Sequence, residues 1–421
     1  MNFKKYYNAC QYLESLGKLD SPLEYLRDRK IKDLKKYLFR MQDLLDRMGN
    51  PERDMKYIHI TGTAGKGTIV SLLHNIFSEA GYMVGSTSSP AITSTIERIK
   101  VGQYYIDPII FAEIVESLKP VITDMYLQGV YGKPSYFDCM LAIALVYFKQ
   151  QKCDVVILEV GMGGRYDATN IIPDPLATVI TNIDYDHTHL LGNELEAIAH
   201  EKAGIIKNGS LFFTNEQKLE ITTIFKKICN QVGAKYVPII SKDNSNDELA
   251  TIIAGRFDIG PEEIKKGIEN TKLPCRFEIM QNNPTIILDG AHSVSKVIFS
   301  LKKLETIEYK NLHVIFGCGH TKDGLGMIDE IIKYSTSITL VPVINSIGKS
   351  FSLKKMQQHI NENYPGISID ISFESKQALQ NIQTKINDND AVLIIGSLYI
   401  TGDLRKQWYK EQFILEKRRS F

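Results

Sequence analysis

The sequence lacks an excess of either charge: fifty Lys and Arg face forty-nine Asp and Glu, a formal net charge of +1. Nothing in that balance suggests a nucleic-acid or membrane surface. Paired cysteines are also missing. Cys10, Cys139, Cys153, Cys229, Cys275 and Cys318 are scattered without C-x-x-C spacing, which argues against zinc or a disulfide framework and fits buried thiols in a reducing cytoplasm. No stretch reaches 18 apolar residues, and the first residues, Met1 to Tyr7, hold no apolar run of a signal peptide, so a cytoplasmic chain is expected. No internal repeat or low-complexity segment stands out. What is left is the composition of an ordinary globular protein, 43% hydrophobic and 24% charged, and 421 residues exceed one comfortable core. Two domains are expected, with small molecules as partners.

The stretch around which the chain is organised runs from Tyr57 to Thr68. Tyr57, Ile58, His59 and Ile60 read as a buried strand, and Ile69, Leu72, Leu73, Ile76 and Phe77 recur at helical spacing. Between them lie Gly62, Thr63, Ala64, Gly65, Lys66, Gly67 and Thr68. Glycines there let successive backbone N–H groups point into one concavity, and the helix N-terminus adds partial positive charge. Lys66 supplies a full charge for the β- and γ-phosphates of a nucleotide, and the Thr68 hydroxyl a ligand for Mg²⁺. The spacing departs from the common G-x-x-x-x-G-K-[ST] pattern, and a plain strand-to-helix turn is the bland alternative.

Two helices are expected before this stretch, the second stopped by Gly49, Asn50 and Pro51. A strand over 81–87 ends in Ser88, Ser89 and Pro90, a helix covers 137–148, and the apolar run 155–158 closes on Glu159 before a glycine loop, 161–165. Ligands of open parallel sheets sit at the carboxyl ends of the strands, so Glu159 is a metal or substrate candidate rather than a solvated edge residue. A strand over 177–181 leads to Asp184, Asp186, His187 and His189, a cluster suited to Mg²⁺. Lys202, in the helix that follows, reads as a surface charge; the alternative is an amine desolvated enough to react. Residues 271–276 read as a hinge between a domain of residues 1–272 and one of 273–421. The second part alternates strand and helix, and two of its strands end in loaded turns, Asp289-Gly290-Ala291-His292 and Gly396-Ser397. Taken alone, the first reads as a turn and the second as a helix cap.

Taken together and in order, these motifs resemble the folylpolyglutamate synthase and dihydrofolate synthase family of the ATP-dependent Mur ligases. The resemblance runs over nearly the whole chain, through 49–53, the glycine turn, 87–90, 97–99, 158–161, 186–187, 202–207, 276–278, 289–292 and 396–399. It implies an α/β fold: an N-terminal P-loop ATPase domain of the Mur ligase type and a smaller C-terminal Rossmann-like domain, with the active site between them. It implies that ATP phosphorylates a substrate carboxylate and that the amine of an amino acid, glutamate in the family, displaces the phosphate.

The family's residues carry over position by position. The turn of Gly62, Thr63, Gly65, Lys66, Gly67 and Thr68 would hold ATP. Thr68, Glu159 and His187 would hold Mg²⁺, with Ser89 a weaker candidate. Lys202 matches a carboxylated lysine, a carbamate able to bind a second Mg²⁺, against the surface-charge reading. Arg276, Asp289 and His292 match positions that contact nucleotide and incoming amino acid, and Ser397 a position at the amino-acid site. Lys66, Lys202, His187, Asp289 and His292 are thus the catalytic candidates. A monomer is implied.

The sequence departs from the family at three places. Ala64 stands where Asn is usual, removing a side-chain contact but none of the backbone donors, and Ala91 where a His follows Ser-Pro. A short polar link over 237–247 replaces a β-rich stretch. These departures leave open a non-folate carboxylate acceptor; a P-loop switch protein is the other-class alternative, which has no need of Arg276, Asp289 and His292.

Overall fold

The computed structural model describes residues 3–16, 34–185, 194–239, 245–343 and 350–421. By internal contacts the chain divides into Met1–Ala91 with Thr95–Lys272, and Ile92–Ser94 with Leu273–Phe421.

The first unit is built on an eight-stranded sheet. Its strands are β1 (Tyr57–Thr61), β2 (Val84–Thr87), β3 (Ile99–Val101), β4 (Tyr104–Tyr105), β5 (Val155–Glu159), β6 (Ala177–Ile180), β7 (Leu211–Thr214) and β8 (Lys235–Tyr236), in the spatial order β4-β3-β2-β5-β1-β6-β7-β8. All pairings are parallel except the β2–β3 and β3–β4 ones at one edge. Strands β1 and β5 are buried at every position, as a parallel sheet covered on both faces requires of apolar, β-branched runs. The chain leaves β1 for β2 on one side and later fills β6 on the other, so the order reverses at β1. This switch point brings the carboxyl ends of β5, β1 and β6 side by side, with Ile60 opposite Glu159 and Thr61 opposite Ile180.

The helix Lys66–Glu79 packs Ile69, Leu72, Leu73 and Ile76 into a core shared with Ile58, Ile60, Val155 and Ile157. Helix Tyr136–Gln150 starts with a reciprocal cap between Ser135 and Asp138, and Asp138 also pairs with the buried Arg40 at 2.6 Å, which ties the early helix Lys35–Arg47 to it. Strands β3 and β4 and the helix Pro108–Gln128 lie in a stretch for which the sequence reading assigns no elements; the helix carries Pro120 inside and is capped by Asp107.

The second unit has a six-stranded sheet: β9 (Glu278–Asn282), β10 (Thr285–Asp289), β11 (Leu312–Phe316), β12 (Ser337–Leu340), β13 (Ser368–Ile371) and β14 (Ala391–Ile395), ordered β13-β12-β11-β14-β10-β9. Only β9 runs antiparallel, against β10. Successive residues face opposite ways, as strand geometry dictates. Ile287, Val314 and Leu393 join a core with helices Val294–Leu304 and Gly324–Ile332. Ile286, Ile315 and Val392 join another with Ser375–Gln383 and Leu398–Arg405. All six cysteines are free thiols and five are buried. Among the described residues no helix is long and apolar enough to cross a membrane.

Candidate active site

Gly62 and Gly65 shape the turn after β1. Gly62 has φ +145°, and a Cβ there would lie 1.8 Å from Thr181 Oγ1; Gly65, at φ +81°, forms the first boundary of the following helix with no side-chain cap. The first-turn amides of that helix therefore have no side-chain cap, the condition in which a helix N-terminus can receive an anion. The two amides before Gly65 are different. Thr63 N–H donates to Asn182 O at 3.0 Å, and Ala64 N–H to Asn182 Oδ1 at 2.9 Å. The loop after β6 thus claims two of the turn's backbone donors. Thr181 Oγ1 donates to Ala64 O at 2.5 Å, and Thr63 Oγ1 exchanges hydrogen bonds with the backbone of Asp184. The loop is braced in turn by Glu216, whose carboxylate accepts from Ile183 N at 2.7 Å.

Lys66 and Lys202 both reach the Gly62 carbonyl, at 2.8 and 3.1 Å. The surface-charge reading of Lys202 is thus overturned: the residue is 4% exposed, because Ala199 and Ala203 beside it pack into the core under β6 and β7. Glu159 lies on the other side of the turn. Its Oε2 accepts from Ser89 N at 2.9 Å and is 3.7 Å from where a Cβ on Gly67 would sit. Ser89 therefore meets Glu159 through its backbone. Beside Glu159 a recess of about 20 Å³, room for roughly one water, is lined by Ser89, Arg98, Phe137, Met140 and Thr169 among others, with the Arg98 guanidinium over the Tyr136 and Phe137 rings at 5.4 and 5.8 Å. His187 lies outside the described residues, as do Asp186 and His189. Among the described residues no group of three or more His, Cys, Asp and Glu could hold a metal.

In the second unit the turns after β10 and β14 meet. Gly396 N–H donates to Ala291 O at 2.9 Å, and Asp289 pairs with Ile395 across the strands. Asp289 is buried; Oδ1 accepts from Ala291 N at 2.7 Å and Oδ2 from Ser300 Oγ at 2.5 Å, while burial raises its pKa. His292 Nδ1 donates to Gly290 O at 2.7 Å, so Nε2 is the acceptor for Lys296 Nζ at 3.1 Å. Burial, with help from Lys296 and Lys322, lowers this imidazole to about 3; it is neutral at pH 7. Ser397 is the cap of helix Leu398–Arg405, accepting from Tyr399 N at 3.2 Å. Arg276 is exposed on the turn before β9, between Cys275 and Phe277.

The residues the sequence reading does not single out are Asn182, Glu216, Ser300 and Lys296. Asn182, at a strand end, carries a weak signal; the others act through tertiary contacts and carry none. Asn246, read only as part of a helix start, sits against the turn, its Oδ1 2.9 Å from a Cβ built on Gly65.

A mostly parallel sheet with a glycine turn at its switch point, joined in one chain to a second α/β unit, is the architecture of a two-domain nucleotide-binding protein. Residues 110–270 match the Mur ligase middle domain and residues 275–398 the Mur ligase glutamate ligase domain. The dihydrofolate synthase/folylpolyglutamate synthase of Bacillus subtilis is 29% identical over 415 residues, covering 88% of this chain and 94% of that protein. That of Escherichia coli K12 is 29% identical over 422 residues, covering 92% and 94%. Among solved structures, Mycobacterium tuberculosis folylpolyglutamate synthase complexed with ADP superimposes with a TM-score of 0.86 at 21% identity, covering 97% of this chain and 99% of that one. E. coli FolC in complex with DHPP and ADP gives 0.76 at 25% identity, covering 97% and 98%. The chain belongs to the folylpolyglutamate synthase/dihydrofolate synthase family of the Mur ligases, as a divergent member.

Proposed function

We propose that this protein is an ATP-dependent ligase that joins glutamate to a folate or dihydrofolate carboxylate. The observation that carries the reading is the convergence of Lys66 and Lys202 on Gly62 O, with Glu159 at the neighbouring strand end. The Lys66 cation beside a glycine turn suits a polyanion, and the buried Lys202 nitrogen on the same carbonyl lies where a metal-binding modification would serve that polyanion. A carboxylate and a triphosphate repel each other, so positive charge must neutralise them before the carboxylate oxygen attacks the γ-phosphorus and ADP leaves. The acyl phosphate then accepts the glutamate nitrogen at its carbonyl carbon. The ammonium first gives one proton to solvent, the C–N bond forms, and phosphate departs with the bonding pair and takes up the second nitrogen proton. The first-turn amides of helix Lys66–Glu79 and Lys66 would hold the β- and γ-phosphates.

The donor set fits Mg²⁺: Glu159, Thr68 and Ser89 offer only hard oxygen ligands, and His187 would add a nitrogen. Lys202 reacts as a carbamate in this reading. Once deprotonated, its amine would form an N–C bond with CO₂ and release one proton, giving an anion able to supply oxygen ligands to a second Mg²⁺. Bound there, Mg²⁺ lowers the repulsion between the reacting anions. The buried amine beside Lys66 supports this, since the carbamate converts a like-charge pair into an attractive one. Arg276, Asp289 and His292 would serve nucleotide and incoming glutamate, and Ser397 the amino acid. The E. coli complex with DHPP and ADP supports a pterin-type acceptor, whereas Ala91 and the short 237–247 link favour a different carboxylate.

ADP release measured with ATP, Mg²⁺, glutamate and a panel of acceptors, followed by mass spectrometry, tests the reading. Folate-dependent ADP release with a glutamate-sized mass gain is the expected outcome. The same gain on another acceptor alone moves the specificity, and ADP release indifferent to acceptor and amine overturns the ligase.

A further inference from the structure

Arg276 stands between two residues held in the left-handed region, Cys275 at φ +53° and Phe277 at +52°. Non-glycine residues adopt that conformation at a cost and persist in it only when their surroundings determine it. The surroundings here are identifiable. Glu278 Oε2 accepts from Cys275 N–H at 2.8 Å, closing the turn from its own C-terminal side. The same carboxylate receives Arg405 in a fork, Nε at 2.9 and 3.1 Å and Nη2 at 3.0 Å. Arg405 is 0% exposed. Its Nη2 also donates to Ser420 O at 2.6 Å, and its guanidinium stacks on Tyr409 at 4.4 Å and Phe421 at 5.2 Å. Cys275 O accepts from Gly290 N–H at 2.8 Å, which ties the Arg276 turn to the turn bearing Asp289 and His292. Arg405 ends the helix that Ser397 begins. One buried ion pair thus joins all three candidate turns of this unit.

A fork-shaped, stacked guanidinium against a buried carboxylate fixes angles as well as charge. Replacing such a pair by apolar groups is often harmless to folding, so its presence alone says little about stability. Its placement says more: it locks a conformation the backbone of 275–277 does not prefer, and the only side chain that turn offers to solvent as a cation is Arg276. We propose that Glu278 and Arg405 are positioning residues that hold the Arg276 guanidinium at the carboxyl end of β10 for the nucleotide. The role of Arg276 in this inference rests on the ATP-ligase reading above.

The test uses the full chain with Glu278→Gln/Arg405→Met, which leaves no buried charge unpaired, alone and combined with Arg276→Ala. The KM for ATP is expected to rise about tenfold in the paired variant and by less than about twofold when Arg276 is already Ala, the non-additivity of residues acting as one unit. Amide hydrogens of 275–277 exchange faster in the paired variant while β11 and β12 keep their protection. An equal rise in KM in both backgrounds, or unchanged exchange at 275–277, overturns the proposal. If the paired variant does not fold, Arg405→Lys carries the test, with a KM between wild type and Arg276→Ala expected and a wild-type KM and exchange pattern overturning it. A wild-type protein that releases no ADP with any acceptor sinks the ligase reading, while the exchange measurement still decides whether the clamp holds the turn.

Discussion

Lys66 and Lys202, 136 positions apart in the sequence, donate to the same carbonyl oxygen of Gly62. That shared acceptor fixes where the Lys202 nitrogen lies relative to the turn. Lys202→Ala is expected to lower turnover by on the order of 10²-fold or more, in line with removal of an electrostatic group from a site. Added formate or acetate should restore part of it, whereas the corresponding Lys66→Ala loss should not respond. Labelled bicarbonate should give the wild type a carbamate carbon signal by NMR that Lys202→Ala lacks. Wild-type turnover in Lys202→Ala would remove the carbamate from the reading.

Gly62 and Gly67 separate the folding and chemical demands of the same turn. Gly62→Ala puts a Cβ 1.8 Å from Thr181 Oγ1 in a positive-φ conformation, and overpacking of that kind costs about 1–3 kcal/mol. A fall in the urea midpoint should show it. Gly67→Ala meets nothing closer than Glu159 Oε2 at 3.7 Å. Its midpoint should stay near wild type, while the methyl group beside Glu159 raises the KM for ATP or the Mg²⁺ requirement.

Acid stability should reflect the buried imidazoles. His59 and His292 are each lowered to about 3, mainly by burial. Above an ordinary value near 6.5 both states are neutral and nothing changes. As pH falls below it the unfolded chain takes up protons that the folded one refuses, so each removes up to about 1.4 kcal/mol of stability per pH unit until about 3. Asp289, with its pKa raised by burial, acts in the opposite sense in the window just above its ordinary value. Urea unfolding at a few pH values between about 7 and 5 should show the slope, and His292→Gln should flatten it in part.

Ser397 has a cap role in the structure and a proposed role at the amino-acid site, and the two are separable. Ser397→Ala loses the bond from Tyr399 N and should cost about 1 kcal/mol. Ser397→Asp should recover that stability as an alternative cap. If Ser397 also touches glutamate, the KM for glutamate rises in both variants; a KM restored together with stability in Ser397→Asp assigns the residue to capping alone.

The glycine turn was legible because its chemistry sits in consecutive residues, and the strands β1, β5 and β14 because runs buried on both faces are unbroken. Lys202 was not, since its burial depends on how Ala199 and Ala203 pack. The helix Pro108–Gln128 is apolar enough around its girth to blur its period and contains Pro120. Arg405 carries no signal in the sequence, because its partner Glu278 lies 127 positions away. Asn182 reads as a polar residue after a strand, and only the pairing of β1 with β6 brings it to the turn.

The two amides that Asn182 occupies carry a consequence for how such a turn can be moved or re-tuned. Because Thr63 and Ala64 already donate to it, an anion meets donors only from Gly65 onward. The register of a phosphate chain along the turn is therefore set by one residue of the loop after a neighbouring strand, through its main chain and its side chain together. Transplanting residues 57–68 into another scaffold would carry two idle donors with them, and the neighbouring strand end is where a redesign should begin.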